Sequence, residues 1–123
     1  MKILVVDDES SIRDALTEAL IFYTAHTVEA VASAEQALDV LSANSQDISH
    51  IFLDGQLGKG LSGYEVLPTL RAKYPRIEVI CIGALAGIQD SNIYAHQSVR
   101  VLSKPWQIRE LVDAVKERAL VSA

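Results

Sequence analysis

Short apolar runs rich in β-branched residues recur along this chain and alternate with segments of helical periodicity. Each run is too short for a buried helix, so each predicts a strand; the five runs are residues 3–6, 27–31, 48–53, 78–82 and 99–102. Strict alternation of strands and helices with short connections favours right-handed crossovers. The pattern therefore predicts a parallel sheet that has helices on both faces.

The segments between these runs carry helix signals. Apolar residues recur at helical spacing over residues 11–23 and again from Ile108 onward, and residues 88–96 show a weaker version of the pattern. Helix starts are also predicted by two capping boxes, Ser33-Ala34-Glu35-Gln36 and Ser62-Gly63-Tyr64-Glu65. Five βα units in 123 residues fit an α/β, flavodoxin-like (βα)5 fold with strand order 2-1-3-4-5.

Charged residues follow three of the predicted strands, at the carboxyl end of each. Asp7 and Asp8 follow the first strand, Asp54 follows the third and Lys104 follows the fifth. Ligands of an open parallel sheet bind outside these ends, and the predicted order places the first strand beside the third. Three carboxylates with one lysine keep excess negative charge, and Mg²⁺ is a hard cation that takes oxygen ligands. The sequence therefore predicts a magnesium site.

Each of these charged residues also has a simpler interpretation. Asp7 and Asp8 are suited to cap the first helix, where acidic residues are favoured. Asp54 is suited to open a turn, and Lys104 to be a solvated loop residue. Their joint position at three strand ends favours the shared site over these separate roles.

Composition restricts the classes of protein that fit. The 123 residues, half of them hydrophobic, suffice for one domain over 1–123 and leave no room for a second. A net charge of −5 argues against direct nucleic-acid binding. We expect a cytoplasmic protein without a membrane partner, because no apolar stretch reaches membrane-spanning length and the start does not resemble a signal peptide. Cys81, the single cysteine, lies within a strand and is expected in the core.

The acidic pair Asp7-Asp8, Asp54 and Lys104-Pro105 at three strand ends together resemble the receiver domain of two-component response regulators. The resemblance extends from Ile3 to about Leu120. It implies that Asp54 accepts a phosphoryl group from a histidine kinase or phosphotransfer protein in a phosphorelay. It also implies a signalling module, not a turnover enzyme, acting as a monomer or weak dimer on an output domain or partner that the sequence does not identify.

The resemblance implies further roles at the site. Asp7, Asp8 and Asp54 would hold Mg²⁺ together with the backbone carbonyl of Gln56. Lys104 would pair with Asp54 or with a phosphate oxygen. The peptide bond between Lys104 and Pro105 is usually cis in this family, which would direct the lysine into the site.

The chain departs from the receiver pattern at the residues that usually transmit the signal. Gly83 stands where a Thr or Ser is usual, and Val101 where a Tyr or Phe is common. A backbone N–H of Gly83 or Ala84 could still donate to a phosphate oxygen. Gly58 stands where a Pro is common, within a glycine-rich segment after Asp54 that we expect to be mobile. These departures predict an atypical switch.

The roles of two residues that follow Lys104-Pro105 stay open, and so do two rival functions. Trp106 is expected to pack at the base of the last helix, or to form with Arg109 part of a partner surface. One rival is a phosphorylation-independent pseudo-receiver that acts as a protein-interaction module. The other is a Mg²⁺-dependent phosphatase of the haloacid dehalogenase type, although Asp54-Gly55-Gln56 lacks the second Asp of that motif.

Overall fold

A computed structural model describes residues 1–58, 60–83, 99–103 and 105–116 of the chain. Its five strands form one parallel sheet in the order β2-β1-β3-β4-β5. The strands are β1 (Lys2–Val6), β2 (Thr27–Val31), β3 (Ile48–Asp54), β4 (Glu78–Gly83) and β5 (Val99–Ser103). The predicted strand order is confirmed. The last three strands each run one residue further than predicted, so that Asp54 is the final residue of β3 and not the first residue of a turn.

Within the described residues, four α-helices connect or follow the strands. They are α1 (Ser10–Tyr23), α2 (Ala34–Asn44), α3 (Gly63–Lys73) and α4 (Ile108–Lys116), with a short 3-10 turn at Ser45–Asp47. The helix predicted over residues 88–96 lies outside the described residues. Among the described helices, none combines the length and the apolar character that crossing a membrane requires.

The two predicted capping boxes differ in the structure. At α3 the box is complete, because Ser62 Oγ accepts the N–H of Glu65 while the Glu65 carboxylate accepts the N–H of Ser62. At α2 only half of it forms. Ser33 Oγ accepts the N–H of Gln36, but the Gln36 side chain accepts the N–H of Ala32, one residue before the cap.

Helices cover both faces of the sheet, as predicted. On β1, Leu4 and Val6 face one apolar cluster, whereas Ile3 and Val5 face a second. The first cluster contains residues of α2 and α3, and the second contains residues of α1 and α4. Alternate side chains of a strand point to opposite faces, so a strand that is buried on both sides is apolar throughout.

The core also accounts for the lone cysteine. Cys81 lies on β4 in the first apolar cluster and is fully buried, which confirms its expected place. The sheet register then positions the acidic residues. Val6 of β1 lies beside Leu53 of β3, so Asp7 and Asp54, the residues that follow, reach the same edge of the sheet.

Candidate functional site

Three carboxylates meet at the carboxyl ends of β1 and β3. One oxygen from each of Asp7, Asp8 and Asp54 lies within 4.8 Å of the others. Asp7 is 1% exposed and Asp54 3% exposed, whereas Asp8 is exposed to solvent. The structure therefore brings together the three acidic residues that the sequence singled out, and two of them are withdrawn from water.

Backbone N–H groups hold all three carboxylates. The donor and acceptor pairs are Glu9 to Asp7 Oδ1 at 2.9 Å, Gly58 to Asp8 Oδ2 at 2.9 Å and Gln56 to Asp54 Oδ1 at 3.0 Å. The first and last pairs each span two residues, which is the geometry of an Asx turn. Such bonds fix the direction of a carboxylate and partly offset its charge.

The simpler interpretation of the acidic pair is wrong. The N-cap of α1 is Glu9, which makes no side-chain capping bond, so neither Asp7 nor Asp8 is the N-cap residue. Arg13, which the sequence analysis did not single out, donates from its guanidinium to the backbone carbonyl of Asp7 at 2.8 Å. A cation on the first turn of α1 thus lies beside the acidic cluster. The helical pattern of apolar residues did not predict this contact.

The segment after Asp54, residues 55–62, connects β3 to α3 and is called the β3–α3 loop below. The Gly55 N–H donates to the carbonyl of Ile82 on β4, and its carbonyl accepts the N–H of Gly63. A Cβ at Gly55 would collide with the ring of Tyr64, and one at Gly63 with the backbone of Asp54. These two glycines allow close approach at the start of the loop.

Further along this loop, two backbone groups contact carboxylates from other elements. Gly58 contacts Asp8, as described, and the Leu61 N–H donates to Oε2 of Glu35 on α2 at 3.0 Å. The Leu61 N–H lowers the pKa of Glu35 most, followed by the backbone N–H of Glu35 itself. Gly60, between the two contacts, has a left-handed φ of 77°.

The donor set fits a magnesium ion. All of the clustered groups are carboxylates, the hard oxygen ligands that Mg²⁺ takes, and the cluster contains neither the nitrogen nor the sulfur that Zn²⁺ favours. Gln56 is exposed and follows Asp54 by two residues, so its backbone lies at the same edge. These residues could hold a divalent cation.

Only some of the positions predicted to form an atypical switch lie within the described residues. Gly83 is buried at the end of β4 beside Ser103, and Val101 is half-buried on β5 opposite Cys81. Lys104 and Ala84 lie outside the described residues. The predicted cis bond between Lys104 and Pro105 therefore lies outside them as well.

Trp106 combines packing with partial exposure. It is half-buried and packs against the apolar cluster formed with α1 and α4. It also lines a shallow pocket with Phe22 and Ile108, both of which are exposed. Arg109, the other residue of the predicted partner surface, is exposed on α4.

Comparison with known proteins identifies the family. The chain belongs to the response regulator receiver domains, whose family model matches residues 3–116. It is 32% identical to the response regulator protein FleR of Pseudomonas aeruginosa over 97% of the chain and 24% of that protein. It is 34% identical to sporulation initiation phosphotransferase F of Bacillus subtilis over 94% of the chain and 91% of that protein.

Solved structures agree with the family. The receiver domain of NtrX from Brucella abortus has a TM-score of 0.82 at 28% identity and covers 98% of this chain and 99% of its own. A receiver domain protein from Clostridium thermocellum has a TM-score of 0.85 at 25% identity, and the match covers 94% of this chain and 90% of that one. The chain spans about a quarter of FleR and of the hydrogenase regulator HoxA of Cupriavidus necator, at 24% and 23% of their lengths.

Proposed function

We propose that this domain accepts a phosphoryl group on Asp54, with Mg²⁺, from a histidine kinase or a phosphotransfer protein. The observation that carries the proposal is the convergence of Asp7, Asp8 and Asp54 within 4.8 Å, with Asp54 only 3% exposed. Receiver domains are phosphoacceptor signalling modules and not typical turnover enzymes, which agrees with a site built around one carboxylate nucleophile.

Asp54 is suited to act as this nucleophile. The Gln56 N–H holds Oδ1 of Asp54, so the carboxylate has a defined direction. In the proposed reaction, a carboxylate oxygen attacks the phosphorus of the donor and an acyl phosphate forms as the bond to the donor breaks. The position at the end of a central strand limits the movement of the nucleophile.

Asp7 and Asp8 would hold Mg²⁺ with Asp54 and the backbone carbonyl of Gln56. The cation, when bound, offsets the charge of the transferring phosphoryl group and orients it for in-line attack. Lys104 would contribute a second positive charge to Asp54 or to the phosphate. Backbone N–H groups at Gly83 or Ala84 would take the place of the usual hydroxyl.

The proposed readout differs from the usual pair of a hydroxyl and an aromatic ring. Glycine at 83 has no hydroxyl for a phosphate oxygen to attract, and valine at 101 has no ring to turn inward. Residues 55–63 and residues 84–97 would carry the change instead. Amide NMR shifts on adding beryllofluoride with Mg²⁺ test this, because shifts restricted to Asp7, Asp8, Asp54 and their neighbours would contradict it.

For the phosphoryl donor and the downstream partner, we propose only the class of protein. One relative of similar length is named sporulation initiation phosphotransferase F, and FleR and HoxA are named regulators. Membership of the receiver family supports a phosphoryl donor of the histidine kinase or phosphotransfer class for this chain. Trp106 and Arg109 are candidates for the surface that meets an output domain or partner protein.

A phosphorylation-independent pseudo-receiver is the second candidate, favoured by Gly83 and Val101 at the two switch positions. Incubation with acetyl phosphate, in Mg²⁺ or in EDTA, followed by intact mass spectrometry separates the two functions. The proposed function requires one added phosphoryl group in Mg²⁺ and none in EDTA. An unchanged mass in both would favour the pseudo-receiver.

A further inference from the structure

The β3–α3 loop is held by two carboxylates that come from different elements. The Gly58 N–H donates to Oδ2 of Asp8, which follows β1, at 2.9 Å. The Leu61 N–H donates to Oε2 of Glu35, on the first turn of α2, at 3.0 Å. The middle of the loop is therefore tied to the acidic site, and its outer end is tied to a helix.

Gly60, the residue before Leu61, allows the close approach of the loop to Glu35. Gly60 has a φ of 77°, a conformation that side chains with a Cβ rarely adopt. A Cβ at this position would lie 2.6 Å from Oε2 of Glu35. Leu57, at the other side of Gly58, is 8% exposed and belongs to the first apolar cluster. The loop is thus anchored on both sides of the residue that contacts Asp8.

We propose that Glu35 is a positioning residue for divalent-cation binding. By holding Leu61, it keeps the Gly58 N–H on Asp8 and so maintains the direction of the Asp8 carboxylate toward Asp7 and Asp54. This inference rests on the proposed function of the acidic site. It adds to that site a residue on α2 whose side chain touches neither the cation nor the phosphoryl group.

Hydrogen bonds to a metal ligand determine metal affinity because they set the ligand's orientation before the ion arrives. Asp8 is exposed, in contrast to Asp7 and Asp54, so packing restrains it least and its backbone partner matters most. An untethered loop would have to be ordered when the cation binds, which costs conformational entropy. The contact between Glu35 and Leu61 removes part of this cost in advance.

Glu35 also has a structural interpretation. It is an acid in the first turn of α2, where a negative charge interacts favourably with the helix dipole. That role would affect the stability of the protein but not its affinity for Mg²⁺. Asp39 provides a matched control, since it is an exposed acid on the same helix and its loss changes the net charge equally. Among the described residues, no side-chain hydrogen bond of Asp39 is found.

The test is a Mg²⁺ titration of the full chain, in which the amide NMR shifts of Asp8, Asp54 and Gly58 report binding. We expect Glu35→Ala to weaken Mg²⁺ binding by about three- to tenfold, somewhat below the loss typical of a direct hydrogen-bond partner of a metal ligand. Asp39→Ala should bind as the wild type does. Glu35→Gln, which keeps an acceptor oxygen, should recover most of the affinity.

Two further measurements complete the design. Amide hydrogen exchange of Leu61, measured without Mg²⁺, should be faster in Glu35→Ala than in Asp39→Ala. Gly60→Ala, which strains the loop and crowds Glu35, should also weaken Mg²⁺ binding.

The outcomes separate this inference from the proposed function. Equal Mg²⁺ affinities of Glu35→Ala and Asp39→Ala, or unchanged Leu61 exchange in Glu35→Ala, would overturn the role of Glu35 while wild-type binding stands. A wild type whose Asp7, Asp8 and Asp54 amides do not respond to Mg²⁺ would instead overturn the metal site itself.

Discussion

The backbone N–H of Gly58 donates to the carboxylate of Asp8 at 2.9 Å, although the two residues are 50 positions apart in sequence. A proline at position 58, common in receivers, has no N–H to give. A Cβ at position 58 would lie 2.6 Å from Oδ2 of Asp8. Glycine at this position therefore gives the acidic site a hydrogen-bond donor that the more common residue lacks.

Gly58→Ala should weaken Mg²⁺ binding while changing the free energy of unfolding only slightly. The atom that a new Cβ would meet is the end of an exposed side chain, which can rotate away at small cost. We expect Asp8 to rotate and Mg²⁺ binding to weaken by about tenfold, as when a metal ligand loses its hydrogen-bond partner. Amide NMR titration and urea denaturation measure the two effects, and an unchanged Mg²⁺ affinity would show that the contact does not orient Asp8.

His50 should make the fold sensitive to mild acid. It is 8% exposed, lies 5.4 Å from His26 between ring centroids, and has Ser49 Oγ 2.6 Å from Nδ1. Burial and the neighbouring His26 lower the pKa of His50 from its ordinary 6.5, although Glu78 and the Val115 backbone act in the opposite direction. The folded state thus favours the neutral ring.

The sign of the effect follows from proton binding. Below about pH 6.5 the unfolded chain binds more protons at this residue than the folded chain, so the free energy of unfolding falls as the pH falls. Urea denaturation at about pH 7.5 and about pH 5.5 brackets ordinary histidine titration. The wild type should lose more stability than His50→Gln over this interval. Equal losses would mean that His50 does not contribute.

Phe52→Ala should destabilise the fold strongly. Phe52 is 1% exposed on β3 and belongs to the apolar cluster shared with α1 and α4. Its truncation should cost about 3–5 kcal/mol of unfolding free energy, through lost burial and the cavity that remains. Phe22, the other phenylalanine, is 78% exposed, so Phe22→Ala should change stability by about 0.5 kcal/mol or less. Similar losses for the two variants in urea denaturation would contradict the assigned core.

Features encoded by local pattern could be predicted from the sequence. The β-branched runs predicted the strands, and their alternation with helices predicted a parallel sheet. The flavodoxin-like strand order then placed Asp7, which follows β1, near Asp54 at the end of β3. The box at Ser62 also formed as expected, and half of the box at Ser33 did. Each of these results depends on residues that are close in sequence, or on the regular register of a sheet.

Contacts that depend on the path of a loop could not be predicted. Glu35 had the pattern of an ordinary first-turn acid, yet it binds Leu61, which lies 26 residues further along the chain. Gly58 was visible only as a departure from a common proline, because the position of its N–H depends on the path of the loop. Side-chain bonds between distant segments leave no periodic signal in the sequence.

The central claim is that Asp54 accepts the phosphoryl group. The most direct measurement is intact mass spectrometry after incubation with acetyl phosphate and Mg²⁺, for the wild type, Asp54→Asn and the control Asp47→Asn, which removes an exposed acid before β3. We expect one added phosphoryl group on the wild type and on Asp47→Asn, and none on Asp54→Asn, whose amide is not a nucleophile of this kind. Equal labelling of Asp54→Asn, or an unlabelled wild type, would contradict the proposed function.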